Sequence, residues 1–260
     1  MPRRRRGFLD HSCYHITHRC HNRAFLLKFA RDRDKYYKFL LETNRRYNIS
    51  FLDYVITSNH VHFLIWVRHG EVLGEAMRFL QGSFAQHYNK THKREGAFWS
   101  DRYHSTLIQS GEHFGRCLFY IDLNMLRSGA VDEIARWRHT AFHEYVGARR
   151  RYRLIDMKRL LTCLGGSSDL DGFRKWYMST LQQKASRVLI ARVNNKNSRE
   201  HFWTESYAVG ERDWLASVYD HFNFKRKKII TTCEYPEIGI DEPPLGNAVR
   251  EPEISYYIQG

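Results

Sequence analysis

Long apolar runs are missing from this 260-residue chain. None reaches the roughly 18 consecutive apolar residues that a membrane-spanning helix needs. The basic start, Met1-Pro2-Arg3-Arg4-Arg5-Arg6, lacks the apolar core of a secretory signal. Cysteine pairs are missing too. The five cysteines (Cys13, Cys20, Cys117, Cys163 and Cys233) are odd in number and form no C-x-x-C pair. That spacing argues against a zinc knuckle or a disulfide framework and points to reduced thiols in a cytoplasmic protein. Acidic charge is scarce: 28 Asp and Glu stand against 42 Lys and Arg, a net charge of +14. Proline is nearly absent before residue 234, and four of the five prolines fall between 234 and 252. No internal repeat is visible.

What is present fits a packed domain with a polyanionic partner. Hydrophobic residues make up 42% of the chain, enough for a core, and aromatics 15%. Strong basic charge with many rings suits unstacked, single-stranded nucleic acid. The plainer alternative places the rings in the core and the charge in solvent. The four arginines Arg3, Arg4, Arg5 and Arg6 read as an arm that either touches phosphates or is simply solvated.

The order of elements points to an α+β fold. His11 to Arg19 alternates as a strand. Arg31 to Tyr47 carries Tyr36, Phe39, Leu40 and Tyr47 at helical spacing. Residues 49–56 and 59–67 read as two strands of an antiparallel hairpin. Glu71 to Tyr88 is a second helix, with Leu73, Met77, Leu80 and Phe84 along its inner stripe. Phe98 to Ile108 is expected to be a fourth strand, and Glu112 to Arg127 a third helix ended by Ser128-Gly129. This predicts an antiparallel sheet with helices packed on one face. Further helices are expected over 170–185 and 212–222. The organisation predicted is a basic arm (1–10), a main domain (11–148), a helical basic region (149–233) and an extended tail (234–260). The runs Arg149-Arg150-Arg151 and Lys225-Arg226-Lys227-Lys228 both fall in the helical basic region.

Two clusters carry chemistry. In Asn59-His60-Val61-His62-Phe63-Leu64-Ile65-Trp66-Val67, His60 and His62 stand at i and i+2 of a strand and share a face. Two imidazoles framed by apolar residues look like half of a metal site. On the third helix, Phe114, Cys117, Leu118 and Ile121 form a core face, flanked by Arg116, Tyr120, Asn124 and Arg127. Tyrosine is a possible nucleophile, asparagine a possible oxygen ligand and arginine a phosphate clamp. From spacing alone, the commoner reading of Tyr120 is a boundary residue that half packs and half solvates. The remaining histidines, His15 and His18 among them, read as surface or satisfied core residues.

Four segments occur in a specific order: Tyr14-His15-Ile16-Thr17-His18-Arg19-Cys20-His21-Asn22-Arg23, Asn59-His60-Val61-His62, Gly96-Ala97-Phe98-Trp99-Ser100-Asp101-Arg102-Tyr103, and Tyr120-Ile121-Asp122-Leu123-Asn124-Met125-Leu126-Arg127. Over residues 11 to about 146 this arrangement resembles the single-tyrosine HUH (IS200-like) transposases, and most of all the REP-associated tyrosine transposases. Cys20 stands where the family commonly has Gly, Thr57-Ser58 where Met-Pro is usual, and Met125 where Pro often follows the Asn. The resemblance implies a ferredoxin-like catalytic domain in which His60, His62 and Asn124 hold Mg²⁺ or Mn²⁺ and Tyr120 attacks a DNA phosphate. The implied partner is single-stranded DNA with a REP-like hairpin. Arg19, Asn22, Arg23, Arg94, Arg102, Arg116 and Arg127 are then expected at DNA, with a monomer slightly favoured over a homodimer and no membrane contact. Two other readings compete: a non-catalytic hairpin-binding module, and a metal hydrolase that uses water as nucleophile.

Overall fold

The computed structural model describes residues 7–166, 169–194, 200–222 and 230–231. The arm bearing Arg3, Arg4, Arg5 and Arg6, the Lys225–Lys228 run, Cys233 and the proline-containing tail lie outside the described residues. The chain begins with β1 (Ser12–Arg19), a 3-10 turn (His21–Arg23), α1 (Ala30–Tyr47), β2 (Ser50–Ile56), β3 (His60–Val67) and α2 (Gly70–Thr91). It continues through β4 (His104–Ile108), α3 (Glu112–Asp122), α4 (Asn124–Arg127), a 3-10 turn (Ile134–Arg136), α5 (Phe142–Tyr145) and α6 (Met157–Cys163). It closes with α7 (Leu170–Val193), α8 (Phe202–Glu205), β5 (Ala208–Val209), α9 (Arg212–Phe222) and β6 (Ile230–Thr231). Among the described residues no helix is long and apolar enough to cross a membrane.

The fold is α+β, as the sequence implies, around a sheet of order β2-β3-β1-β4-β5-β6. Pairings among β2, β3, β1 and β4 are antiparallel, whereas β4-β5 and β5-β6 are parallel. The parallel edge was not legible, because β5 and β6 are two residues each and have no periodicity to read.

Helices cover both faces rather than one. Side chains alternate along a strand, and each face of β3 has its own cover. Phe63 faces α1, with its ring stacked 6.1 Å from Tyr36, and Tyr36 in turn meets Phe84 of α2 at 4.6 Å. His62, on the opposite face, meets the α3–α4 segment through Asn124. Tyr36 and Phe63 are fully buried, and truncating either removes a large part of the core on that side.

Two sequence-predicted elements differ in extent. Only His104–Ile108 of the expected strand 98–108 pairs with β1 as a ladder. The earlier part bends away after a single bridge between Cys20 and Trp99. Trp99 turns its indole N–H to the Gln81 carbonyl at 3.1 Å, which holds this stretch over α2. The expected helix 112–127 is interrupted at Leu123, whose ψ of 0° separates α3 from α4. It ends as expected. Gly129 at φ 74° closes a Schellman arrangement in which Gly129 N–H bonds Leu126 and Ala130 N–H bonds Met125.

The C-terminal elements join the same core. β5 continues the sheet beside β4, and Tyr177 of α7 donates its hydroxyl to Asp122 of α3 at 2.7 Å. Asp122 and Asp53 are both buried between β2 and α3. Burial raises the Asp122 carboxyl to about 7, against smaller opposing hydrogen bonds from Tyr177 and Thr140. Asp53 is raised by burial first and by Asp122 second.

The folded pKa of Asp122 lies above its unfolded value of about 3.9, so the folded state holds the proton more tightly. Its contribution to stability is complete below the unfolded value and is lost as pH rises to about 7. Asp122→Asn keeps an acceptor for Tyr177 without the charge. It is expected to raise the melting temperature at pH 8 and to flatten the decline between about pH 4 and 7. Thermal melts across that range check this, and an unchanged slope in the variant assigns the pH dependence elsewhere.

Candidate active site

β3 brings His60 and His62 to one face with ring centroids 5.0 Å apart. The α3–α4 segment crosses that face. It places the Asn124 side-chain amide 3.3 Å from His62 Nε2 and the Tyr120 ring 5.9 Å from the His62 ring. All four residues come from one chain. Tyr120 is buried rather than half-solvated, so the boundary reading of its position does not hold. Its ring is enclosed by His15 at 5.9 Å and Trp203 of α8 at 6.0 Å. The Arg127 guanidinium lies over it at 4.2 Å.

Residues 9–123 match the family model described as "Transposase IS200 like". The match spans 115 of the 260 residues, and over that stretch the chain is similar to IS200-like transposases. It contains His60, His62 and Tyr120, and it ends one residue before Asn124. The chain is also similar to a solved structure titled "Structure of the REP associates tyrosine transposase bound to a REP hairpin". That match has 17% identity and a TM-score of 0.49, covering 56% of this chain and 86% of that one. A putative transposase from Deinococcus radiodurans R1 matches at 16% identity and a TM-score of 0.34, covering 44% of this chain and 91% of that one. No curated protein matches the sequence.

Around the histidines, hydrogen bonds fix which imidazole nitrogens carry protons. His15 Nδ1 lies 2.8 Å from the Trp203 carbonyl, an acceptor only, so this nitrogen carries the proton. Burial pushes the His15 imidazole down to about 3, so the ring is neutral and its Nε2 accepts. Its partner at 2.9 Å is His62 Nδ1, which therefore donates. His62 is itself held neutral, lowered by burial first and then by His60, His15, Arg127 and Arg19. The His62 Nε2 lone pair consequently points at Asn124.

His60 is oriented separately. Asn59 Nδ2 donates to the Arg23 carbonyl at 3.1 Å, which turns its oxygen toward His60 Nδ1 at 2.7 Å. Thr57, at a position where the sequence departs from the family, accepts from the His60 backbone N–H at 3.0 Å and braces the same ring. In the neutral ring the lone pair is then on Nε2.

Two imidazole nitrogens and a side-chain amide that can turn its oxygen inward form a donor set suited to a divalent first-row ion such as Mn²⁺, and less strongly to Mg²⁺. Among the described residues no three His, Cys, Asp or Glu side chains converge, so the third donor would be the amide.

The expected DNA-contacting residues divide into two groups. Arg19 ends β1 directly opposite His60. Asn22 and Arg23 are exposed in the adjoining turn, both at positive φ (51° and 56°), and Arg102 is exposed. Cys20, where the family commonly has Gly, is fully buried with extended backbone and leaves the turn to Asn22 and Arg23. Three other arginines are engaged within the protein. Arg94 donates to Asn89, Gly96 and Ala97, and Arg116 pairs with Glu112. Arg127 is half-buried and donates to the Tyr120 carbonyl at 2.7 Å. It acts on the tyrosine helix rather than as an open phosphate clamp.

His15 and Trp203 are the site residues that sequence reasoning missed. His15 alternates correctly to share the face of His62 through the Thr17–His62 and His15–Leu64 register. That register could have been read only by pairing the strands first. Trp203 is 188 residues away from His15 in the chain and carries no local signal.

Trp203 is fully buried and its indole N–H donates to Glu200 at 2.6 Å. Trp203→Ala is expected to lower unfolding stability by about 3–5 kcal/mol, measured by urea denaturation. A loss below about 1 kcal/mol would mean that α8 does not pack on the site.

Proposed function

We propose that this chain is a metal-dependent single-stranded DNA endonuclease and strand transferase that acts at hairpin DNA. One observation carries the reading: Tyr120, inside the segment that matches IS200-like transposases, and Asn124, just past its end, lie on the helical stretch that crosses the His60–His62 pair. The hairpin substrate follows from the sequence resemblance to REP-associated transposases, and the net charge of +14 supports a nucleic-acid partner.

In this reading Tyr120 Oη attacks the scissile phosphorus as its proton leaves. The phosphorus–O3′ bond breaks, and the departing O3′ is protonated to a free 3′-OH. The protein is left joined to the 5′ side through a phosphotyrosine, and attack by a second 3′-OH reverses the step without an external energy source. A Mg²⁺ or Mn²⁺ ion held by His60, His62 and the Asn124 oxygen would draw charge from a non-bridging phosphate oxygen. The protein's own groups orient and polarise. An unperturbed phenol is ionised in only about one molecule in a thousand at neutral pH. The Arg127 guanidinium over the Tyr120 ring favours negative charge there. Arg19, opposite His60, supplies positive charge at the mouth of the site.

The test is incubation of the full chain with single-stranded hairpin oligonucleotides and Mn²⁺, followed by denaturing gels. A covalent adduct is expected with wild type and none with Tyr120→Phe. Cleavage by the Phe variant at the wild-type rate would remove Tyr120 as nucleophile and favour water. Tight binding with no adduct from either protein would favour a non-catalytic module.

His15 is a positioning residue in this scheme. His15→Ala is expected to weaken Mn²⁺ binding by about 10- to 100-fold, read by calorimetry. Trp203→Phe keeps the backbone carbonyl that His15 uses and is expected to bind Mn²⁺ as wild type does. Equal weakening in both variants would mean that packing, not hydrogen bonding, is responsible.

A further inference from the structure

The Arg149-Arg150-Arg151 run has no role in the site above, yet it borders a cavity of about 250 Å³ between α5, the loop after it and the start of α7. Arg149, Arg150, Arg153 and Arg174 line this cavity together with one carboxylate, Glu144. That carboxylate is already engaged. Its Oε2 accepts the backbone N–H groups of Leu154 and Ile155 at 2.8 and 2.9 Å, and its Oε1 accepts from Tyr37 and Tyr54. Glu144 therefore shapes the loop and leaves little acceptor capacity for the arginines.

The arginines fall into two pairs. Arg149 is fixed over the Tyr37 ring at 4.5 Å and donates to the Arg138 carbonyl. Arg174 donates to the Tyr145 carbonyl at 3.1 Å. Gly147, at φ 76°, makes room for it, since a Cβ there would stand 3.1 Å from Arg174 Nη2. Arg150 and Arg153 are exposed, and neither makes a hydrogen bond or ion pair among the described residues. Two anchored and two unengaged guanidinium groups around one concavity form a site for a phosphate-like anion.

Tyr152 stands between Arg151 and Arg153. It is 77% exposed, and its φ of 54° is unusual for a bulky side chain. The Tyr37 hydroxyl, whose one proton is shared between this carbonyl at 2.6 Å and Glu144 Oε1 at 2.9 Å, holds this backbone in place. The result is an aromatic ring held in solvent beside a phosphate-sized basic cavity, the combination used to bind single strands.

The place of this loop in the sheet sets a distance. Ile155 bridges Phe51 near the start of β2, whereas the histidine end of β3 pairs with Ile56. Five residues of strand at roughly 3.3 Å each separate the two ends by about 17 Å. At roughly 3.4 Å per stacked nucleotide this is about five nucleotides.

We propose that the Arg149/Arg150/Arg153/Arg174 cavity and Tyr152 form a second contact for single-stranded nucleic acid, taking a backbone phosphate in the cavity and a base on the tyrosine ring. The contact rests on the reading of single-stranded DNA as substrate. It serves the strand outside the hairpin, away from the scissile phosphate.

The experiment measures binding of the full chain in EDTA, by fluorescence anisotropy, to a hairpin with a single-stranded extension of about ten nucleotides and to the same hairpin without one. The Arg150→Ala/Arg153→Ala double variant is expected to bind the extended hairpin about tenfold more weakly. Its dependence of log affinity on log salt should be shallower by about 0.7, the slope that one neutralised phosphate gives on a single strand. Tyr152→Ala is expected to cost a similar factor, and the bare hairpin should bind all three proteins equally. All three side chains are exposed, so melting temperatures should match wild type.

Unchanged affinity for the extended hairpin overturns the proposal, and so does equal weakening on both oligonucleotides, which would signal general charge attraction. If inorganic phosphate raises the melting temperature of wild type but not of the double variant while oligonucleotide affinities stay equal, the cavity takes a free phosphate and the nucleic-acid assignment is wrong. Adduct formation on the bare hairpin is scored in parallel with Mn²⁺. Its absence in wild type counts against the strand-transfer chemistry alone, whereas intact adducts with equal binding count against the second contact alone.

Discussion

Thr17 lies opposite His62 and Arg19 opposite His60 in the antiparallel pairing of β1 with β3, and this register determines what the site can be. A slip of one residue would turn His60 and His62 toward α1 and α2 and expose Phe63 on the other side. The register is held by burial on both faces. Val61, Phe63 and Ile65 are fully buried on one face, and Leu64 on the other. The histidine pair is thus attached to the least adjustable part of the sheet. The tyrosine helix has to come to it.

Bringing that helix into place requires the C-terminal third of the chain. Tyr177 of α7 reaches Asp122 at the end of α3, and Phe119 stacks on Tyr177 at 5.6 Å. Trp203 closes the far side of Tyr120, and its carbonyl orients His15 and through it His62. A carbonyl in α8 therefore decides which nitrogen of a β3 histidine presents a lone pair. The family match ends at residue 123, yet the geometry around Tyr120 depends on residues some eighty positions further on.

Buried polar groups are concentrated where these layers meet. Asp53 and Asp122 lie between the sheet and α3, and Glu144 lies beneath the loop that carries Tyr152. Glu144 accepts from Tyr54 and from the Leu154 and Ile155 backbone N–H groups, and shares the Tyr37 proton with the Tyr152 carbonyl, which makes it a rigid support. The aspartates are raised toward the protonated form instead. One network is hydrogen-bonded and the other is titratable.

The sequence by itself determined the α+β class, the main strands and helices, and the pairing of His60 with His62. Period-two and period-3.6 patterns are local, and so is the Ser128-Gly129 stop. The ordered motifs also singled out Tyr120 and Asn124 before any contact was known. Local pattern could not say that Leu123 interrupts the third helix, that helices cover both faces, or that β5 and β6 add a parallel edge. Nor could it separate Arg94, Arg116 and Arg127, engaged inside the protein, from Arg19, Asn22, Arg23 and Arg102, which lie beside the site or in solvent. Only the tertiary structure decided that His15, one of many histidines in the chain, lies beneath His62, and that Trp203 is its partner. The physical reason is that a hydrogen bond between residues 188 positions apart depends on how three layers pack, and no local periodicity records that.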